Sequence, residues 1–212
     1  MVLLSYVITA ITAYLLGSIP TGYLVGKVKG VDIRAVGSGN IGATNVFRML
    51  GKPAGIFVLV MDGLKGYAAC AWAVDLIWKQ WGGEMVDIEY LRITAGLAVV
   101  LGHNYPLWLG FKGGKGIATS GGVLAALVPW AFIIILIIFI LVFALSRYVS
   151  LGSIAAAIAL PIAAWLTKGS FTMIIVTTLM SLLAIYKHKG NIQRLMNGTE
   201  NRFGAKKQEV SP

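Results

Sequence analysis

The sequence predicts an all-α integral membrane protein with seven transmembrane helices, N-terminus outside and C-terminus cytoplasmic. Three observations carry that expectation. Of 212 residues, 58% are hydrophobic and only 12% are charged, against roughly 25% charged in a soluble domain. Uncharged runs at 1–26, 93–111, 116–146, 148–167 and 169–186 take up more than half the chain, and about 20 apolar residues span a bilayer. The cations gather in short stretches between those runs, as cytoplasmic loops do under the positive-inside rule.

The first span covers about residues 3–26. No cationic segment precedes it and no small-residue cleavage signal follows it in a polar setting, so it reads as a retained span rather than a signal peptide. The second covers about 53–78 and carries Asp62, Lys65 and Asp75. Asp62 and Lys65 lie three apart on one helical face. Ions at membrane depth are expensive, so these two should pair with each other or with another helix. A stabilising pair and a direct part in chemistry both stay open.

The third span is about 91–110. The run 116–146 would make a helix of about 46 Å, too long for a hydrocarbon core of ~30 Å. Pro129 falls inside it and marks a break or kink. Two helices here, the first over about 114–128, bring the total to seven. The last two spans are about 149–167 and 170–187.

Seven spans place fifteen of the 18 Lys and Arg on one side: Lys27, Lys29, Arg34, Arg48, Lys52, Lys65, Lys112, Lys115, Arg147, Lys187, Lys189, Arg194, Arg202, Lys206 and Lys207. Six spans would divide the basic stretches between the two sides. The side with the cations is therefore cytoplasmic. The net charge of +10 suits a membrane surface better than nucleic acid, because the cations flank apolar spans. Cys70 stands alone, so no disulfide or cysteine metal cluster is expected. Carboxylates near the basic stretches are too few for a metal site, no cofactor is implied, and no obligatory protein partner is inferred.

Three glycine-rich basic stretches carry the chemistry. The first is Gly37-Ser38-Gly39-Asn40-Ile41-Gly42-Ala43-Thr44-Asn45-Val46-Phe47-Arg48. Gly37, Gly39 and Gly42 permit positive φ and close backbone approach, so successive N–H groups could form an anion nest. Ser38, Asn40, Thr44 and Asn45 add hydroxyls and amides, and Arg48 adds a bidentate fork. A plain connecting loop is the alternative. In the second stretch, Lys112 and Lys115 bracket Gly113-Gly114. Leu109 and Gly116 break the nucleotide P-loop pattern, so a nucleotide is not implied. Lys115 falls at a helix start, where phosphate is favoured; ordinary topology lysines are the other reading. The third is Lys187-His188-Lys189-Gly190-Asn191-Ile192-Gln193-Arg194. His103 and His188, the only two histidines, end spans beside basic stretches and serve as structural hydrogen-bonding residues, phosphate ligands or bases. Neither begins an H-x-x-x-x-D box, since Trp108 and Gln193 stand where Asp would be.

The patterns S-G-N-x-G-x-T-N-x-x-R, G-H-x-x-P with the K-G-G-K-G run, and H-x-x-N-x-x-R-L-x-x-G-T-E occur in order between Gly17-Ser18-Ile19-Pro20 and Glu200. Together they resemble the bacterial acyl-phosphate:glycerol-3-phosphate acyltransferases, the PlsY family. The resemblance implies a single seven-helix transmembrane acyltransferase domain over 1–198, followed by a polar cytoplasmic tail, 199–212. It implies acyl transfer from acyl phosphate to the 1-hydroxyl of sn-glycerol 3-phosphate, giving lysophosphatidic acid and phosphate, at the cytoplasmic face of the bacterial inner membrane. On this basis Ser38, His188 and Asn191 are candidate catalytic residues. Gly37, Gly39, Asn40, Gly42, Thr44, Asn45, Arg48, His103, Lys112, Gly113, Gly114 and Lys115 are candidate substrate-binding residues. The proton acceptor stays open between His188, His103 and a substrate phosphate oxygen.

A phosphate or organophosphate transporter is the main competing reading. It requires pseudo-symmetric halves and a midplane site; no internal repeat is visible and the motifs gather at one face. A CDP-alcohol phosphotransferase would need carboxylates that do not follow Asp62-Gly63. The topology has a direct check. In intact cells, an impermeant thiol reagent should label a cysteine placed near Glu84 and miss cysteines placed at Gly39, Gly114 and Gly198. Outside labelling at Gly198 would eliminate the seven-span arrangement.

Overall fold

Proline breaks and glycine contacts, rather than hydrophobic runs alone, divide this chain into its helices. The structure, a computed structural model, describes residues 1–82, 86–167 and 169–204. Every regular element among the described residues is helical. The chain separates into two compact units, Met1–Pro129 and Trp130–Pro212.

In the first unit the expected span over 3–26 is broken. α1 (Val2–Gly17) stops before Ser18-Ile19-Pro20, and α2 (Thr21–Val28) resumes the helix. Pro20 has no N–H to continue the ladder and its ring disfavours helical backbone at Ile19. The short α3 (Ala43–Leu50) packs on α4 (Lys52–Ala68). A π-helical turn (Ala69–Ala73), α5 (Val74–Ile77) and a second π-helical turn (Trp78–Gly82) prolong α4. Next come α6 (Ile88–Asn104), a 3₁₀ turn (Leu107–Leu109) and α7 (Ile117–Leu127). α7 is shorter than the expected 114–128. Gly116 is its N-cap, and Val128, preceding Pro129, leaves the helix at φ −139° and ψ 65°.

α1 lies against α6, and α4 against α7. At the first crossing, a Cβ on Gly17 would overlap the Val99 carbonyl, and one on Gly102 the Tyr14 carbonyl. At the second, Gly66 meets the Thr119 carbonyl and Gly122 the Gly63 carbonyl in the same way. Hydrocarbon supplies little hydrophobic drive between helices, so close backbone packing through small residues replaces it.

The second unit holds α8 (Pro129–Ser146), α9 (Val149–Leu166), α10 (Phe171–Lys187) and α11 (Lys189–Met196). α10 and α11 meet at a bend of 57°. α9 packs on α10 although Pro161 lies inside α9. Proline removes the bond that its N–H would give to the carbonyl four residues back, here Ala157. The Ser181 hydroxyl of α10 donates to that carbonyl instead. Glu200–Gly204, at the start of the expected polar tail, fold back onto the same unit: the Phe203 N–H donates to the Arg147 carbonyl at 2.8 Å.

Among the described residues, four helices are long and apolar enough to cross a membrane: Val2–Val28, Lys52–Gln80, Pro129–Ser146 and Val149–Leu166. α10 with α11 makes a fifth if the bent pair is one span. α6 has 17 residues and α7 has 11, lengths of about 26 and 16 Å. Helix length by itself therefore does not give seven spans. Lys168, Lys206 and Lys207, among the 18 Lys and Arg, and Glu84, the labelling position, lie outside the described residues.

The proline-serine pairing is testable. Ser181→Ala should lower thermal stability in detergent by about 1 kcal/mol by orphaning the Ala157 carbonyl. In a Pro161→Ala background, where an N–H returns, the same change should cost far less.

Candidate functional site

The first stretch folds around one buried asparagine. Asn45, on the first turn of α3, is 2% exposed. Its Oδ1 accepts the Ser38 N–H at 2.9 Å, and its Nδ2 donates to the Ile33 and Val36 carbonyls, each at 3.1 Å. Ile33, Ile41 and Val46 anchor the loop in a core with Val58 and Leu109. Gly37 and Gly39 take positive φ, 61° and 68°, and a Cβ on Gly37 would strike Asn45 Oδ1. Left-handed backbone is cheap only for glycine.

Two expectations need correction here. Gly42 does not take positive φ; it is the extended N-cap of α3, at φ −73° and ψ 162°, a conformation any residue adopts. Nor do the loop amides form an outward nest. The Ser38 N–H goes to Asn45, the Gly39 N–H to the Val36 carbonyl at 3.1 Å, and the Gly42 N–H to Asn40 Oδ1 at 2.8 Å. The loop consumes them because buried polar groups must be paired. Asn40 and Asn45 accordingly build the loop. The donors that helix geometry leaves over are the first-turn amides at Ala43 and Thr44. Thr44 and the half-buried Arg48 stand one turn apart on the same face of α3.

The second stretch hangs from the end of α6. His103 and Asn104 are 5% and 0% exposed. Their carbonyls accept the Gly114 and Gly113 N–H groups at 3.1 and 3.2 Å. Gly114 abuts the Nε2 edge of the imidazole, since a Cβ there would overlap His103 Nε2. This clamp brings half-buried Lys115 to the residue before the α7 N-cap, while Lys112 is exposed. Lys115 sits where backbone and dipole favour phosphate.

Beneath the clamp is the ion pair that the sequence anticipates, with partners it does not reveal. Lys65 Nζ lies 2.8 Å from Asp62 Oδ1, the side chains being 6% and 3% exposed. Lys65 also donates to the Ile19 carbonyl at 2.9 Å, and Thr21 donates to Asp62 at 3.0 Å. His103 Nδ1 stands 3.7 Å from the same carboxylate. The α1–α2 break is therefore the seat of the pair; the sequence signal for it is Pro20.

In the second unit, His188 and Asn191 are 3% and 7% exposed at the α10–α11 corner. His188 Nδ1 lies 2.8 Å from the Ala184 carbonyl. A carbonyl only accepts, so Nδ1 carries the proton and Nε2 is the basic nitrogen of the neutral ring. Asn191 Nδ2 donates to Glu200 Oε1 at 2.7 Å. Ser150 donates to the same oxygen at 2.8 Å, and Arg194 Nε to Oε2 at 2.7 Å. Burial raises the Glu200 carboxyl, but bonds from Asn191, Ser150 and Arg194, with the Arg194 charge, prevail and hold it below its ordinary value. The candidate residues do not include Glu200, Arg194 or Ser150. The R-L-x-x-G-T-E spacing signals the first two, and nothing in the sequence marks Ser150.

The glycerol-3-phosphate acyltransferase family model matches residues 7–198. The chain belongs to this family. A glycerol-3-phosphate acyltransferase from Desulforamulus reducens is 46% identical over 208 residues, 98% of this chain and 100% of the relative. The fold is similar to the crystal structure of PlsY (YgiH), an integral membrane glycerol 3-phosphate acyltransferase, in its glycerol 3-phosphate form. The TM-score is 0.85 at 42% identity, covering 94% of this chain and 96% of that one. The lysophosphatidic acid form gives 0.82 at 40% identity with the same coverage. This chain is thus an acyltransferase of the integral membrane glycerol-3-phosphate class, a family of phospholipid biosynthesis.

For the buried pair, Asp62→Asn should destabilise the enzyme by roughly 3–5 kcal/mol in detergent, because Lys65 is left as an uncompensated charge. Asp62→Asn with Lys65→Met should regain most of that loss. Equal instability of the single and double variants would show that the carboxylate, not the pairing, sets the cost.

Proposed function

We propose that this enzyme transfers the acyl group of acyl phosphate to the 1-hydroxyl of sn-glycerol 3-phosphate, giving lysophosphatidic acid and inorganic phosphate, the first step of bacterial phospholipid synthesis. The observation that carries it is the His103–Gly114 clamp, which delivers Lys115 to the start of α7. A cation there, beside first-turn amides that have no intrahelical acceptor, suits a phosphate. That the related PlsY was crystallised in a glycerol 3-phosphate form supports the acceptor. The missing H-x-x-x-x-D box and the family resemblance support acyl phosphate as donor.

In the reaction, the glycerol oxygen attacks the acyl carbonyl carbon, the bond from that carbon to the phosphate oxygen breaks, and phosphate departs with the bonding pair. A mixed anhydride is reactive enough that no covalent enzyme intermediate is needed. The Ser38 N–H is taken by Asn45, so its exposed hydroxyl holds the acyl phosphate and steadies the developing oxyanion. Arg48, Lys115, His188 and Asn191 bind the glycerol phosphate. Gly37, Gly39, Asn40, Gly42, Thr44 and Asn45 shape the donor loop, and His103, Gly113 and Gly114 set the Lys115 turn, with Lys112 nearby. The hydroxyl proton goes to His188 Nε2, to His103 or to a phosphate oxygen. No metal or cofactor enters the scheme.

Charge asymmetry supports seven spans, with α6 and α7 each counted as one, an N-terminus outside and a C-terminus inside. The basic stretches then face the cytoplasm of a bacterial cell, across its inner membrane.

Purified enzyme with radiolabelled glycerol 3-phosphate should turn over acyl phosphate and use acyl-CoA poorly; equal rates with both would overturn the donor. Arg48→Ala, Lys115→Ala and His188→Ala should each raise the KM for glycerol 3-phosphate roughly 10–100-fold or abolish turnover. Lys29→Ala should change little. Normal kinetics in the first three would place the phosphate site elsewhere.

A further inference from the structure

The Glu200 carboxylate is held by three donors, yet it lies nine residues beyond Asn191, past the end of α11. A segment beyond the last helix loses conformational entropy to stay in such a place. The following residues offset it. Phe203 donates its N–H to the Arg147 carbonyl at 2.8 Å. Its ring meets Phe143 of α8 edge-on, with centroids 5.4 Å apart. Arg202 Nε donates to the Tyr148 hydroxyl at 2.9 Å, and its guanidinium lies 5.3 Å from the centre of that ring. Arg147 takes φ 62°, a conformation uncommon outside glycine. It forms the α8–α9 turn to which Phe203 is bonded. Ser150, in the first turn of α9, donates to Glu200 itself. One short segment therefore ties the turn at Arg147–Ser150 to α11.

We propose that Arg202 and Phe203 are positioning residues for Asn191, acting through Glu200. They strap the chain against α8 and the α8–α9 turn. That fixes the carboxylate, and the carboxylate fixes the Asn191 amide. The strap touches no substrate. This inference rests on the reading that Asn191 binds glycerol 3-phosphate.

The test uses full-length enzyme in detergent, with acyl phosphate and varied glycerol 3-phosphate. Tyr148→Phe removes a single oxygen from the strap and Phe203→Ala removes its anchor. Each should raise the KM for glycerol 3-phosphate roughly 3–10-fold, the loss of about one hydrogen bond's worth of positioning, with kcat within about two-fold. Arg202→Ala combined with Tyr148→Phe should not exceed Arg202→Ala alone, because the contact that the hydroxyl makes is already gone in that variant. Asn191→Ala is run beside them. Parental KM in the strap variants with an impaired Asn191→Ala overturns the strap and leaves the Asn191 reading standing. Parental kinetics in Asn191→Ala overturn both. If Phe203→Ala fails to accumulate in the membrane, Tyr148→Phe decides alone: a raised KM supports the strap, a parental one ends it.

Discussion

The first unit depends on a buried ion pair seated in a broken helix. Asp62 and Lys65 are nearly sealed from solvent, where an unpaired charge is very costly. Their mutual attraction alone would not satisfy either group. The Ile19 carbonyl and the Thr21 hydroxyl complete the set, and both exist in place because Pro20 interrupts the helix. The break therefore fixes α2 against α4. Because His103 stands near the same carboxylate, the end of α6 is set by the same group, and so is the glycine turn that α6 carries.

The same rule governs the second unit in a neutral form. Every backbone group at membrane depth needs a partner. Pro161 deprives the Ala157 carbonyl of one, and Ser181 supplies it. Proline in a spanning helix is tolerable when a neighbouring helix carries a hydroxyl at the right height. The requirement also links the two helices, α9 and α10.

Polar satisfaction explains why the glycine-rich loop before α3 differs from a simple anion nest. Its amides are close together, as glycine allows, but Asn45, Asn40 and the Val36 carbonyl engage three of them. The loop is rigid because it is internally bonded. The starts of α3 and α7 keep first-turn amides that helix geometry leaves without an intrahelical acceptor. The bonded loop holds Ser38 and the beginning of α3 in fixed register.

Composition by itself determined the membrane class, because a chain this apolar cannot be solvated. The motifs marked the basic stretches and the family, because fixed spacings of Gly, Asn and cations are local. The Asp62–Lys65 pairing was legible from three-residue spacing on one helix face. What the sequence left undecided was every partner that depends on helices meeting. Thr21 and Ile19 as the seat of the pair, Ser150 as a donor to Glu200, and Ser181 as the substitute for a missing amide all come from chain segments far apart in sequence. The positive-φ expectation failed at Gly42 because a cap, not a turn, decides its backbone. The span over 3–26 was legible as hydrophobic length, but only the tertiary fold made its interruption useful, by placing a lysine and an aspartate against the exposed backbone. Hydrophobicity is additive along a chain, whereas the satisfaction of a buried polar group is a property of the packed structure.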